Sequence, residues 1–203
     1  GLSLQPHGVR LPSGDDMLGC LMMEANEVFL LAGTKPEKVV EILTQGLNEK
    51  LASMRGLFGP AVYLAEDACK MDQYATPDCD YEIPELEDLH SLLFRAGACR
   101  HPGIGNEGDL DDLFFCLVVR TALGWYQRTL DGSTNLDCPG FGIWQNNDEK
   151  RELAIIQGTS PAMRYHSLFC NVAPHGRLKR FREFMVYNSS QVYIEYIIAY
   201  KRK

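Results

Sequence analysis

The chain of 203 residues is long enough for one domain with its own hydrophobic core, which excludes a miniprotein that depends on disulfides. Hydrophobic residues make up 45% of it, and no apolar run approaches the roughly 20 residues that a membrane-spanning helix needs. Acidic residues outnumber basic ones by 27 to 20, and the net charge of -7 argues against nucleic acid as the main partner.

The cysteines and histidines show no metal-binding pattern. Seven cysteines without a C-x-x-C pair predict no structural zinc site, and their scatter through apolar stretches predicts reduced, mostly buried thiols in a cytosol. The five histidines also lack the spacing of metal ligands, so no metal is expected. Residues 1–13 lack the basic start and apolar block of a signal peptide, and we therefore expect a cytoplasmic protein.

Two strand-to-helix turns are predicted in the first third of the chain. Residues 28–31 form a short apolar run that predicts a buried strand. Thr34 and Glu37 then match a capping box, which predicts a helix that begins at Thr34 and stops at Gly46. After a glycine-rich loop, residues 61–65 predict a second strand, followed by a helix that ends near Tyr74.

The middle segment, residues 76–164, is predicted to be mostly helix and loop. Apolar side chains at helical spacing over residues 109–130 predict a long helix there. Residues 103–108 match G-x-G-x-x-G, but no βαβ unit surrounds them, so we interpret them as a loop rather than a dinucleotide site. Residues 66–112 carry 13 acidic and three basic side chains, which suits either a solvated surface or a docking face for a basic partner.

The last 40 residues predict strands. Residues 167–172, 184–187 and 192–200 are rich in β-branched and aromatic side chains. Together with the first third of the chain, they predict a single α+β domain over residues 1–203 whose two ends build one sheet system.

Two segments of a little over 80 residues in total carry a family resemblance. They are residues 29–75, with FLLAGTKPEKVVEILTQGL and GLFGPAVYLAEDACKMDQYA, and residues 165–201, with YHSLFCNV and REFMVYNSSQVYIEYIIAYK. Both resemble the poly(ADP-ribose) polymerase-like ADP-ribosyltransferases of the diphtheria-toxin-like class. The resemblance implies that family's split antiparallel β-sheets flanked by helices, with residues 76–164 as a divergent insertion.

The resemblance also implies an NAD site. Gly33 and Thr34 take the places of a turn whose glycine backbone holds the nicotinamide carboxamide. Tyr63 takes the middle place of the family's His-Tyr-Glu set, and Tyr74 stands at the spacing of a tyrosine that stacks on the nicotinamide ring. Glu183 precedes an aromatic-aliphatic strand, as the catalytic glutamate of the family does.

Two residues depart from the family pattern. Ala32 stands where the set has its histidine, so that place offers no side-chain hydrogen bond to NAD. Met71 replaces a serine that contacts the amide oxygen of nicotinamide. Losing one hydrogen bond in a protected site costs about 1 to 3 kcal/mol, which predicts NAD binding weaker by tenfold or more.

The implied chemistry is cleavage of the bond between nicotinamide and ribose, whose transition state develops positive charge. A carboxylate such as Glu183 at roughly 4 Å and an effective dielectric of about 20 is worth about 4 kcal/mol as an upper guide. We therefore predict a mono-ADP-ribosyltransferase that moves ADP-ribose from NAD to a protein side chain, either as a resident enzyme or as an effector secreted into a host cytosol. The alternatives are a pseudoenzyme that serves as a protein-binding module, and an NAD glycohydrolase that uses water as acceptor.

Overall fold

The computed structural model describes residues 21–53, 55–78, 83–96, 113–146 and 148–202. Over these ranges the chain has an α+β fold with three α-helices and two open sheets. In chain order the elements are β1 Glu27–Thr34, α1 Val39–Gln45, β2 Val62–Leu64, α2 Ala68–Met71, α3 Glu87–Arg95, β3 Phe114–Ala122, β4 Tyr126–Thr129, β5 Ser167–Cys170, β6 Glu183–Val186 and β7 Val192–Tyr200. Among the helices in these ranges, none combines the length and the apolar content that crossing a bilayer requires.

The strands form two sheets joined at one point. Sheet 1 has the order β1-β3-β7 with antiparallel neighbours, and sheet 2 has the order β2-β6-β5-β4, in which only β4 and β5 are parallel. An isolated antiparallel bridge between Leu31 of β1 and Ala65, the residue after β2, links the sheets. Early and late strands share each sheet, and the presence of two sheets confirms the split sheets that the resemblance implies rather than one continuous sheet.

The main core lies between the two sheets. Sheet 1 contributes alternate side chains of β1 and β3, and sheet 2 contributes side chains of β2, β5 and β6, so burial of both inner faces holds the sheets together. The buried members of this cluster are Leu30, Ala32, Val62, Leu64, Leu117, Val119, Leu123, Phe169, Phe184 and Val186.

The predicted helix over residues 109–130 is wrong from Leu113 onward, because this stretch forms β3 and β4. Strand β3 is the central strand of sheet 1, and every residue from Phe114 to Val119 is buried. A strand covered on both faces is apolar throughout, so it lacks the alternation that marks a half-exposed strand and fits a helical stripe equally well. Residues 109–112 and the G-x-G-x-x-G string lie outside the described residues.

The other element predictions are confirmed, with one correction. Thr34 does not cap a helix: it is the last residue of β1, and its hydroxyl donates to the carbonyl of Lys35 at 3.3 Å. A 3-10 turn, Pro36–Lys38, leads into α1 instead, and the N–H of Gly46 bonds to Ile42 where that helix ends. The strands predicted around residues 61–65, 167–172, 184–187 and 192–200 are β2, β5, β6 and β7.

Four cysteines lie in the described residues, and all have free thiols. Cys116 and Cys170 are buried, Cys138 is half-buried and Cys69 is exposed. Burial raises the pKa of both Cys116 and Cys170 from 9.0 to about 12, so these two thiols stay protonated at neutral pH. They therefore behave as packing residues rather than as nucleophiles or metal ligands.

Candidate active site

A cavity of about 840 Å³ opens where the two sheets meet. Its origin is the single bridge between Leu31 and Ala65, because the same register two residues further on would place Gly33 opposite Tyr63. The strands separate there, and both residues line the cavity instead. The volume lies within the range of about 300 to 1,000 Å³ that is usual for small-molecule and cofactor sites.

Six of the seven site residues named from the sequence line this cavity. Tyr63 on β2 and Glu183 on β6 share one face of sheet 2, because Tyr63 lies opposite Met185, two residues from Glu183. Helix α2 is followed by a 3-10 turn, Asp72–Tyr74. Together they bring the Tyr74 ring to the rim of the cavity, where Tyr74 is 57% exposed. The six are Ala32, Gly33, Tyr63, Met71, Tyr74 and Glu183. The seventh, Thr34, is buried beside the cavity.

Gly33 offers the cavity its backbone. The N–H and C=O of Leu31 bond to Ala65 at 2.7 and 2.9 Å, so they point away from β3. Backbone groups of alternate residues point to the same side of a strand, and Gly33 therefore directs its own N–H and C=O toward the cavity. A Cβ at Gly33 would lie 2.3 Å from the carbonyl oxygen of Met71, so a side chain would push α2 away from β1.

The Tyr63 hydroxyl is held by the loop that precedes β2. It accepts a hydrogen bond from the N–H of Phe58 and donates one to the carbonyl of Gly59, both at 2.8 Å. Gly59 has a φ of +73° and approaches Lys150 so closely that a Cβ would lie 2.2 Å from its carbonyl oxygen. Burial raises the pKa of Tyr63 to about 12, so the phenol is neutral, and because its proton is already donated to Gly59 the residue presents its ring to a ligand.

Glu183 is paired with a lysine that the sequence reasoning missed. The Nζ of Lys70 lies 2.5 Å from Oε1 of Glu183, and the two side chains are only 14% and 6% exposed. Lys70 also donates to the Tyr74 hydroxyl at 3.2 Å, and its Nζ lies 5.1 Å from the centre of that ring. Burial lowers the pKa of Lys70, but hydrogen bonds to Glu183 and Tyr74 outweigh it and raise that pKa overall.

A sequence signal for Lys70 did exist. Lys70 stands four residues before Tyr74, and side chains at this spacing meet on one face of a helical segment. The ion pair with Glu183, however, joins residues more than 100 positions apart, and no pattern along the chain indicates it.

The two departures from the family pattern have clear places in the structure. Ala32 is 8% exposed and belongs both to the inter-sheet core and to the cavity wall, where its methyl group offers no hydrogen bond. Met71 is 5% exposed and packs against side chains on one face of β1 and β3, with the Tyr200 hydroxyl 3.9 Å from its sulfur. The cavity therefore lacks two polar side chains that the resemblance would place there.

No group of three or more potential metal ligands occurs in the part of the chain that the structure describes. Comparison with models of known protein families gives no match, and comparison with curated proteins gives none either. Any assignment of function therefore depends on the residues and geometry of the cavity itself.

Proposed function

We propose that this chain binds NAD in the cavity between its two sheets and transfers ADP-ribose to a protein side chain. The observation that carries the proposal is the meeting of the Glu183 carboxylate, the Tyr63 and Tyr74 rings and the backbone of Gly33 in one cavity. The sequence resemblance independently assigns the same four residues to one NAD site.

The cavity suits the nicotinamide end of NAD. A carboxamide presents one donor and one acceptor, which the C=O and N–H of Gly33 can match. Tyr63 and Tyr74 both line the cavity, and aromatic side chains of this kind offer surfaces against which the flat nicotinamide ring would pack. Because the Tyr63 hydroxyl is already engaged with Phe58 and Gly59, this residue acts as a fixed aromatic wall.

The reaction breaks the C–N bond between ribose C1′ and nicotinamide, and the electron pair leaves with the ring nitrogen. The sugar develops positive charge in the transition state, which the Glu183 carboxylate stabilises. A nucleophile on the acceptor protein then forms the new bond at C1′ and loses its proton to solvent. The second oxygen of Glu183, not the Oε1 that contacts Lys70, is the acceptor available to the ribose 2′-hydroxyl.

Single transfer is the form of the reaction that we propose, because the loop between residues 48 and 55 is short for building a second pocket that would hold a polymer. The acceptor is a protein side chain, and the action takes place in a reducing cytosol, of the cell itself or of a host.

A second function is favoured by Ala32 and Met71. Both replace polar residues of the family pattern with apolar ones, which weakens the hydrogen bonding available to NAD. The same fold would then serve as a protein-binding module without catalysis. Hydrolysis of NAD, with water in place of the protein nucleophile, is the third outcome that the test below distinguishes.

The test compares the wild-type protein with Glu183→Gln, incubated with cell lysate and NAD that carries a label on its adenylate. We expect labelled protein and released nicotinamide from the wild type, and at least a tenfold loss of both in the variant. Glu195→Gln is the matched control, since its carboxylate pairs with Arg120 on sheet 1, outside the cavity. Equal labelling by wild type and Glu183→Gln would remove Glu183 from the mechanism.

The remaining outcomes separate the alternatives. Nicotinamide release without labelled protein indicates a glycohydrolase. An absence of NAD binding by calorimetry, together with absent labelling, indicates the binding module.

A further inference from the structure

A second ion pair closes the ladder between β2 and β6 at its cavity end. The ladder pairs Val62 with Val186 and Leu64 with Phe184. The same register, continued for two residues, places Glu66 opposite Arg182. The guanidinium of Arg182 donates from Nε to Oε1 of Glu66, so the side chains extend the strand pairing beyond its last backbone partners.

This pair is largely buried and held in one geometry. The side chains of Arg182 and Glu66 are 11% and 14% exposed, and the second carboxylate oxygen of Glu66 is buried without a hydrogen-bond partner. Arg182 also lies over the ring of Phe169, 5.1 Å from its centre, and Phe169 stacks on Phe184 at 4.7 Å. A desolvated ion pair with an unsatisfied oxygen contributes little net stability. We therefore look for its role in how it positions neighbouring residues.

The neighbours of the pair are the charged groups of the cavity. Arg182 is followed directly by Glu183 at the start of β6. Glu66 precedes Asp67, whose carboxylate accepts from the N–H of Cys69 at 2.8 Å and so caps α2, the helix that carries Lys70. The pair therefore joins the two backbone segments whose side chains meet in the contact between Lys70 and Glu183.

We propose that Glu66 and Arg182 form a positioning pair that sets the place of the Glu183 carboxylate relative to Lys70 and to the bound sugar. Neither residue lines the cavity, so both act through Glu183 rather than on NAD itself. The expected effect on kcat rests on the proposed function. The expected effect on the contact between Lys70 and Glu183 does not. A displacement of about 1 Å in a catalytic group can cost on the order of a hundredfold in rate, which makes such a pair worth testing.

The first measurement is the rate of nicotinamide release as a function of NAD concentration. For Arg182→Gln we expect kcat to fall by about tenfold per folded molecule, because Glu183 moves away from the bound sugar and not only from Lys70, with KM for NAD within about twofold of the wild type. The double variant Glu66→Arg with Arg182→Glu rebuilds the pair with reversed charges and should recover most of kcat. Arg128→Gln is the control, because Arg128 on β4 of sheet 2 also forms an ion pair, with Asp137, whose two side chains are 23% and 29% exposed and lie outside the cavity.

The second measurement does not depend on activity. NMR of the protein with carbon-13 and nitrogen-15 in its lysine side chains reports the pKa of Lys70 through the shifts of its Cε and Nζ, and contact with Glu183 holds that pKa above its ordinary value. Loss of that contact in Arg182→Gln should lower this pKa, and Arg128→Gln should leave it unchanged. If the wild type releases no nicotinamide, the proposed function fails, while a lowered Lys70 pKa in Arg182→Gln still supports the positioning pair.

Unfolding by urea measures whether each variant remains folded under the assay conditions. Arg182→Gln leaves the Glu66 carboxylate buried without a partner, so Glu66→Gln with Arg182→Gln is measured beside it to separate positioning from loss of folding. An unchanged Lys70 pKa in both variants overturns the inference, as does a loss of kcat no larger than that of Arg128→Gln.

Discussion

In the proposed reaction, Lys70 limits the stabilisation that Glu183 can give to the developing positive charge. At an effective dielectric of about 20, a carboxylate roughly 4 Å from a unit positive charge gains about 4 kcal/mol. An ammonium on the far side, roughly 6.5 Å from the same charge, opposes it by about 2.5 kcal/mol. The net gain of about 1.6 kcal/mol corresponds to a rate factor on the order of ten. The geometry between the two side chains therefore matters as much as the presence of the glutamate.

Ala32 provides a gain-of-function prediction at the scale of one residue. The variant Ala32→His places an imidazole at the cavity wall, where it can supply the side-chain hydrogen bond that alanine lacks. A hydrogen bond in a protected site is worth about 1 to 3 kcal/mol, so NAD should bind at least about tenfold more tightly, as measured by calorimetry.

The control for this variant is Ala52→His, which adds the same side chain at another place on the cavity wall. Equal tightening in both would show that any imidazole in the cavity suffices. If NAD binds neither the wild type nor Ala32→His, the protein-binding module becomes the better interpretation.

The close approach of β1 and α2 leads to a prediction about secondary-structure elements. In Gly33→Ala the new Cβ would meet backbone atoms of Met71 and Ala75, at 2.3 and 3.2 Å, and backbone cannot move aside as a flexible side chain can. We expect the free energy of unfolding in urea to fall by about 1 to 3 kcal/mol, the usual cost of overpacking. NAD binding should weaken as well, because the change displaces the strand that carries the proposed carboxamide site.

Gly142→Ala is the matched control for the glycine prediction. There the new Cβ meets its nearest atom, the Ser133 carbonyl oxygen, at 3.5 Å, an ordinary contact distance. Its free energy of unfolding should stay within about 0.5 kcal/mol of the wild type. A loss in Gly33→Ala as small as in this control would contradict the steric argument.

Strand β3 shows why elements differ in how well the sequence predicts them. Strand β7 lies at the edge of sheet 1, mixes exposed with half-buried residues and is rich in β-branched and aromatic side chains, so its bounds were predicted closely. Strand β3 lies between β1 and β7 and is buried on both faces, so its apolar run has no period that separates strand from helix. Whether a strand is central or at an edge depends on the tertiary structure. That position determines whether apolar and polar residues alternate along the strand.

At the scale of the whole molecule, the buried thiols predict how stability depends on pH. Burial raises the pKa of Cys116 and Cys170 to about 12 in the folded protein, against 9.0 for an ordinary thiol. The folded state thus favours the protonated thiol, and this contribution is fully present below about pH 9. It is lost as the pH rises from about 9 toward 12, by up to about 1.4 kcal/mol per pH unit for each thiol.

Urea unfolding between pH 8 and pH 11 measures this effect. Cys116→Val should reduce the fall in unfolding free energy above pH 9, since it removes one of the two buried thiols. Cys69→Val removes an exposed thiol and serves as the control. The same slope in Cys116→Val as in the wild type would show that Cys116 does not titrate against burial.

Local signals account for the α+β class, for most strands and for the site residues taken one by one. Glycine, capping side chains and alternation act over a few neighbours along the chain, which is why β1, β2 and the last three strands could be recognised. The resemblance then put Gly33, Tyr63, Tyr74 and Glu183 in one site without any knowledge of distance.

Contacts between remote parts of the chain account for the features that local signals do not predict. The division into two sheets, the cavity at the Leu31–Ala65 bridge and the ion pairs of Lys70 with Glu183 and of Glu66 with Arg182 arise from strand register. Register is set by burying two sheet faces against each other, a free energy that belongs to the assembled core and to no single segment. For that reason the sequence alone suggested the proposed chemistry of Glu183. Its ion pair with Lys70, in contrast, is visible only in the folded molecule.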